Sequence, residues 1–304
     1  MKIFIPPLKE SWIIDRVNRD WKKYNKKLST QLINNADILW INAPWIWDKI
    51  AKKHIERKKV VCSIYHFEES DLNNEGIKYF NYRDQYIDSY HTISDITKSQ
   101  LSKLTNKPIH TFPFWINQNF WFEITNKSDL RKKYGFSKSD YIVGSFQRDT
   151  EGSDLLSPKL IKGPDRFLEI VINLYNENRN LKVLLAGTRR QYLVKELKNK
   201  NIPFKYFEMV NNVQLNHFYN ILNLYIVSSR VEGGPQAITE CGITKTPIIS
   251  TNVGMASKIL AKESIFNMSN YSTAKPNVDV AFENSEKLII PFGMEPFINM
   301  FKNL

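Results

Sequence analysis

The sequence predicts an α/β protein built from two Rossmann-like domains facing a cleft. Three observations carry this expectation. Short β-branched or aromatic runs alternate with helix-length amphipathic stretches along the chain, and each half repeats the βαβ rhythm. The third is length, since 304 residues exceed what one core ordinarily serves. Composition agrees: 42% hydrophobic residues, 24% charged residues and a mean hydropathy of −0.40 describe a folded globular chain.

In the first half, strands are expected near Lys2–Ile5, Asp37–Ile41, Val60–Tyr65, Ser89–Ile93 and Ile109–Phe112. Trp45–Arg57 has helical character, with Pro44 suited to a first turn, and Asp95–Lys103 follows Ser94, a natural N-cap. Asn126–Ser139 is polar, basic and weakly patterned, and is expected to be a linker. This divides the chain into a first domain over 1–137 and a second over 138–290. The aromatic stretch 291–304 is expected to pack as a terminal helix back across the boundary.

The second half repeats the alternation. Tyr141–Phe146 reads as a strand, and Asp165–Glu177 as a helix with Phe167, Ile170, Val171 and Leu174 on one face. Lys182–Ala186 is a strand stopping at Gly187, followed by a helix to about Lys200. Phe204–Glu208, Leu224–Val227 and Pro247–Ser250 complete the set, with a helix starting at Pro235 between the last two.

Charge and cysteine content narrow the function classes. The formal net charge is +12, and residues 1–140 hold 24 Lys/Arg against 16 Asp/Glu. Lys22, Lys23, Lys26 and Lys27, with Lys52, Lys53 and Arg57–Lys59, concentrate this excess, which suits either a solvated helix face or peripheral contact with an anionic membrane. No nucleic-acid module accompanies the charge, so no nucleic-acid partner is expected. Cys62 and Cys241 lie far apart, which fits a reducing compartment and gives no metal-ligand spacing. No apolar run approaches the roughly 20 residues that span a bilayer, and Met1–Pro7 is too soon broken for a signal peptide. A cytoplasmic location is expected.

Nine of the eleven glycines lie after residue 140, where backbone is positioned to approach a ligand. The most informative segment runs from Ser228 to Gly242: it leaves the apolar strand, makes the Gly233-Gly234 turn and enters a helix near Pro235. Open amides and the positive end of the helix dipole suit a diphosphate there. Pro235 has no N–H, so Gly234 and Gln236 are the better donors. Glu232 on the turn and Glu240 in the helix add carboxylates of the kind that hold sugar or ribose diols.

The segment resembles the donor site of GT-B glycosyltransferases, specifically the retaining family-4 group. Glu232 and Glu240 match its E-x7-E pair, and Gly242-Ile-Thr-Lys-Thr-Pro247-Ile-Ile-Ser-Thr-Asn-Val253-Gly254 matches the downstream pattern. The resemblance implies that Glu240 holds the donor ribose, that Glu232 contacts the transferred sugar, and that Gly233 and Gly234 face the sugar or diphosphate. It also implies that Arg148 in Gly144–Arg148 and Lys162 in Lys162-Gly163 neutralise the leaving diphosphate. Cations there match the charge that grows on the β-phosphate as the glycosidic bond breaks. His66, at the end of Val60–His66, corresponds to a histidine near the sugar.

Three departures stand out: a long, acidic stretch between Arg148 and Lys162, the segment Pro6–Glu10 where many members have a glycine-rich loop, and a short first domain. Trp12, Trp40, Trp45 and Trp47 fit a buried core better than a sugar platform.

The expected activity is retaining transfer of a hexosyl unit from a nucleoside diphosphate sugar to a hydroxyl of a glycan, lipid-linked sugar or small molecule. No cofactor or obligatory metal is expected. A glycoside hydrolase using Glu232 and Glu240 would leave the cations and the anion-binding turn without use, and a nucleotide-sugar epimerase fits the motif less well. The alternative outside enzymes is a non-catalytic nucleotide-sugar-binding or nucleic-acid-binding protein.

Overall fold

The computed structural model describes residues 1–8 and 13–304. Among these residues, eleven strands form two sheets, and every strand pair within them is parallel. The first sheet holds β1 (Ile3–Phe4), β2 (Ile38–Ile41), β3 (Lys59–Ile64), β4 (Ser89–Thr92) and β5 (Ile109–Thr111), paired in chain order. Helices α1 (Ile13–Tyr24), α2 (Lys52–Ile55), α3 (Asn74–Asp84) and α4 (Asp95–Leu101) belong to this part. The second sheet contains β6 (Tyr141–Ser145), β7 (Leu181–Ala186), β8 (Phe204–Phe207), β9 (Leu224–Val227), β10 (Ile248–Thr251) and β11 (Ile265–Phe266). With it go α5 (Lys127–Lys133), α6 (Pro164–Glu177), α7 (Gln191–Asn199), α8 (Asn212–Ile221), α9 (Gln236–Ile243), α10 (Ala256–Ile259) and α11 (Val278–Glu286), and α12 (Glu295–Lys302) closes the chain.

The chain divides into two compact units, residues 1–115 with 288–304, and residues 116–287. The first boundary corrects the expected break at 137/138. The segment taken for a linker contains α5, capped by the Asn126 side chain accepting from the Asp129 amide. Arg131 donates to Ile221 O at 2.9 Å and to Asn223 Oδ1 at 2.7 Å, while Asn220 Oδ1 accepts from Ile124 N at 2.7 Å. These contacts reach about 90 residues along the chain, and polar composition gave no sign of them.

In the first unit the sheet alternates sides as a pleat requires. Leu39, Ile41, Val60, Cys62, Ile64 and Tyr90 enter one core with Ile46, Trp47, Ile55, Phe80 and Leu101. The opposite face carries Trp40, Ser63 and His91. Trp40 packs against Trp21 of α1, and against Phe297 and Phe301 of α12 at 5.3 and 5.2 Å between ring centroids. Residues 288–304 thus return to cover the second face of this sheet. Beneath α12 a polar chain is closed: Trp40 Nε1 donates to Ser63 Oγ at 3.0 Å, and His91 Nδ1 lies 3.0 Å from that hydroxyl. His91 Nε2 is 2.9 Å from the Phe112 carbonyl. A carbonyl only accepts, so Nε2 carries the hydrogen and Nδ1 accepts from Ser63. Burial pushes the His91 pKa down to about 4, so the ring is neutral.

The expected continuous helix over 45–57 is instead a 3₁₀ turn over Pro44–Lys49 and the short α2, separated by extended backbone at Ile50 and Ala51. Helices α1, α3, α8, α10 and α11, and the edge strand β11, lie outside the expected set. Ser94 caps α4 as expected, accepting from Thr97 N at 3.2 Å. Trp40 and Trp47 are buried, Trp45 is exposed, and Trp12 lies outside the described residues. Both cysteines are free and buried.

Candidate active site

The second sheet has the order β11-β10-β9-β6-β7-β8. From β6 the chain builds outward through β7 and β8, then returns beside β6 and builds the other way. The β6/β9 neighbours are therefore a topological switch point, where the loops leaving the carboxyl ends of the strands diverge and leave room for a ligand. Phe146, Gln147 and Arg148 follow β6, and Ser228 to Gly234 follow β9.

A third loop is fastened to these two. Leu160–Lys162 forms a 3₁₀ turn, and Gly163 then adopts a left-handed conformation, φ 65° and ψ 39°, before α6 begins. A Cβ at Gly163 would lie 1.9 Å from the Ser228 carbonyl oxygen, so only glycine permits this approach. Ser228 Oγ donates to Gly163 O at 2.7 Å, and Arg230 N donates to Ile161 O at 2.8 Å. The Arg230 guanidinium grips Asp165 through two bonds of 2.8 and 2.6 Å and reaches Leu160 O at 2.7 Å. That grip holds the Asp165 carboxyl below its ordinary pKa.

The fastened loops bring four side chains together. Lys162 Nζ lies 2.7 Å from Glu232 Oε1, with 24% and 12% of the side chains exposed. Ser229 Oγ finds its shortest acceptor in the same oxygen, at 3.1 Å. Gln147 Nε2 donates to the Lys162 carbonyl at 2.7 Å, and Gln147 Oε1 lies 3.3 Å from Ser229 Oγ. A cation and a carboxylate are thus held side by side at the switch point. Such a pair can meet a phosphate with one member and sugar hydroxyls with the other.

Arg148 shares the β6 loop with Gln147, and its Nε donates to Thr150 O at 2.8 Å. The cation placed on Glu232 is Lys162, while Arg148 is engaged in its own loop. That loop rests on a buried ion pair, Asp149 Oδ2 to Arg190 Nε at 3.0 Å, with Arg190 also donating to Ser145 Oγ at 3.2 Å. Burial pushes the Asp149 carboxyl up to about 6 against the pull of Arg190. The stretch between Arg148 and Lys162 is tied back by an antiparallel bridge between Thr150 and Pro158.

The β9 loop leads into α9 by way of Pro235, which is the N-cap (φ −58°, ψ 112°) rather than the first helical residue; the helix starts at Gln236. Gly233 is buried against the turn at Gly254, where φ is +54° and a Cβ would lie 2.6 Å from Gly233 O. Glu240, the fifth residue of α9, is only 4% exposed and accepts from the Tyr219 hydroxyl at 2.8 Å. It belongs to the interior and is no solvent-facing helix residue. His66 lies in the first unit, two residues past β3, half-buried, with Nε2 3.5 Å from Glu68 Oε1.

Gln147 and Ser229 sit inside the segments that the sequence singled out, but their roles came from the fold. Tyr219 had no sequence signal, because its partner is 21 residues away on another helix. Among the described residues, no group of three or more His, Cys, Asp or Glu is placed to hold a metal ion.

Solved structures share this architecture. HepE of Anabaena, crystallised with UDP and glucose, matches with a TM-score of 0.77 at 11% identity over 100% of both chains. Sucrose-phosphate synthase of Thermosynechococcus elongatus gives 0.67 at 12% identity, covering 95% of this chain and 76% of its own. A glycosyltransferase of Rickettsia africae gives 0.60 at 15% identity, over 97% and 82%. Residues 154–289 match the family model described as glycosyl transferases group 1. The chain thus has the GT-B fold, and its second unit carries the glycosyl transferases group 1 match. The span that matches the family model contains Lys162, Glu232 and Glu240. No curated protein sequence matches the chain.

Proposed function

We propose that this chain is a retaining, family-4-type transferase that moves a hexosyl unit from a nucleoside diphosphate sugar to an acceptor hydroxyl. The observation that carries the reading is the contact of Lys162 with Glu232 at the β6/β9 switch point. In the proposed reaction the bond from the anomeric carbon to the β-phosphate oxygen breaks, and the acceptor oxygen bonds to that carbon on the same face. The departing phosphate takes the acceptor's proton. Lys162 and Arg148, with the open amides around Gly234 and Gln236, stabilise the charge that grows on the diphosphate. Glu232 receives hydroxyls of the moving sugar, and Glu240 those of the ribose. This division of labour needs no metal ion, and turnover is expected to persist in EDTA.

The Anabaena structures hold UDP, UDP-glucose, or UDP with glucose, which makes uridine donors the first to try. The test is thermal melting of the full chain against UDP, GDP, ADP and their sugar conjugates, with Glu240→Gln as control. A ligand at about a hundred times its dissociation constant adds roughly 2.7 kcal/mol, or roughly 5–10 °C for a unit of this size. One base should raise the midpoint of the wild type, with a clearly smaller shift in the variant. An unshifted midpoint with every nucleotide would remove the donor-site reading.

A further inference from the structure

Glu240 does not stand alone in α9. The last turn of α8 brings Tyr219 to it, and Tyr219 is 2% exposed. The start of α8 is fixed by a reciprocal cap: Asn211 Oδ1 accepts from Gln214 N at 2.9 Å, and Gln214 Oε1 accepts from Asn211 N at 3.2 Å. Its end is fixed from α9's side, where Thr246 Oγ1 donates to Tyr219 O at 2.9 Å. Thr244 Oγ1 lies 2.7 Å from the Thr246 hydroxyl and 2.8 Å from Glu240 O. Backbone at both residues is therefore held by the same threonine pair.

The Tyr219 ring is held too. Phe146 meets it at 5.1 Å between centroids, Tyr225 at 5.5 Å and Trp121 at 5.8 Å. The Tyr225 hydroxyl accepts from Phe146 N at 3.0 Å, so the aromatic cluster is anchored to the residue that precedes Gln147 and Arg148. Burial raises the Tyr219 phenol well above its ordinary pKa, which keeps it a donor at every working pH. A hydroxyl that donates 2.8 Å to Glu240 Oε2 from so constrained a ring fixes the carboxylate plane.

We infer that Tyr219 is a positioning residue of the donor site: it sets the Glu240 carboxylate for the ribose hydroxyls and thereby sets the preference for ribonucleotides over deoxyribonucleotides. The inference rests on the reading of Glu240 as the ribose holder. Tyr219 itself touches no substrate. Removing its hydroxyl takes away a hydrogen bond that orients the carboxylate, so the loss falls on the part of the affinity that comes from the ribose. A ring that only filled space would weaken every nucleotide alike.

The experiment measures dissociation constants by calorimetry on the full chain for UDP, GDP and ADP, each against its 2′,3′-dideoxy analogue. Wild type, Tyr219→Phe and Glu240→Gln are compared. For the base that binds, wild type is expected to prefer the ribonucleotide by roughly 10- to 100-fold, the span of hydrogen bonds to a charged group. Glu240→Gln should bring that ratio close to one. Tyr219→Phe should lower it at least about threefold while the dideoxy affinity stays within about twofold. The dideoxy analogue is an internal standard, so partial loss of folded protein does not alter the ratio.

If Tyr219→Phe weakens both members of the pair equally, or neither, while Glu240→Gln abolishes the preference, the role of Tyr219 is overturned and that of Glu240 stands. If Glu240→Gln keeps the wild-type ratio, or no ribonucleotide binds better than its analogue, the reading of Glu240 falls and this inference with it.

Discussion

Gly163→Ala tests whether the site depends on the close approach of two loops. Gly163 has φ 65° and ψ 39°, and an added Cβ would lie 1.9 Å from Ser228 O and 2.7 Å from Ser228 C. Those are backbone atoms at the end of a central strand, so they cannot swing aside as a flexible side chain would. Alanine in left-handed backbone costs roughly 1–2 kcal/mol. Relief of the clash requires the loops to part, which breaks the 2.7 Å bond from Ser228 Oγ to Gly163 O and the 2.8 Å bond from Arg230 N to Ile161 O. Each is worth about 1 kcal/mol, giving a total of roughly 3–4 kcal/mol.

Gly187→Ala is the matched control. Its φ is +94°, but the nearest atom to an added Cβ is Phe146 O at 3.5 Å, an ordinary contact. Only the conformational cost applies there. Native-state hydrogen exchange of the β6, β7 and β9 amides should show Gly163→Ala to be less stable than Gly187→Ala by about 2 kcal/mol. Turnover should fall about 10²-fold in Gly163→Ala, since displacement by about 1 Å takes Lys162 off its working position. Equal exchange in the two variants, or full turnover in Gly163→Ala, would show that the fastening of the loops does not hold the site.

Lys162→Ala should lower kcat by about 10²- to 10³-fold, the usual loss when one charge-stabilising group is removed, with a smaller change in donor affinity. Steady-state kinetics reads this directly, and an unchanged kcat would move the charge-stabilising role to Arg148. His91 gives a pH dependence. Folding lowers its pKa from 6.5 to about 4, so the unfolded chain takes up a proton in that window and the folded chain does not. Its contribution is complete above pH 6.5 and is lost as pH falls towards 4, roughly 3 kcal/mol in all. Six of the seven tryptophans lie within residues 1–115, so fluorescence during urea unfolding follows the first unit. The stability difference between wild type and His91→Gln should shrink from pH 7 to pH 4.5; a flat difference would mean the ring is not held neutral. A global melting curve would blur this, because Asp149 in the second unit has its pKa raised to about 6. Between about 4 and 6 its folded form binds the extra proton, and falling pH stabilises that unit.

The parts of this fold that were legible in the sequence are those fixed by neighbours along the chain. Leu224–Val227 is an apolar run closed by turn residues and is found as β9; the apolar stripe from Phe167 to Leu174 is found within α6. The segment 45–57 misled because its apolar residues fit a helical face, whereas Ile50 and Ala51 are extended between two short helical pieces. The segment 126–139 misled in the opposite sense. Its polar surface hides α5, whose Arg131 reaches Ile221 and Asn223, and a pattern within 14 residues cannot report that. The site follows the same rule. Lys162 and Glu232 were visible one at a time through their motifs, but their 2.7 Å contact exists because β6 and β9 are neighbours in the sheet.

That contact also bears on how a donor would enter. On the proposed reading, Lys162 and Glu232 neutralise each other in the free chain, and each has a different destiny once a nucleotide sugar arrives. Only 24% and 12% of the two side chains are exposed, so the pair opens only where new partners replace each half. Charge-assisted bonds from Lys162 to a diphosphate, and from sugar hydroxyls to Glu232, would supply those partners. Meanwhile the backbone beneath them stays fixed by the bonds of Ser228 to Gly163 and of Arg230 to Ile161 and Asp165. Donor entry is then an exchange of partners on a prebuilt frame. Its cost falls on two side chains, and the glycine that lets the loops touch is the residue least able to change.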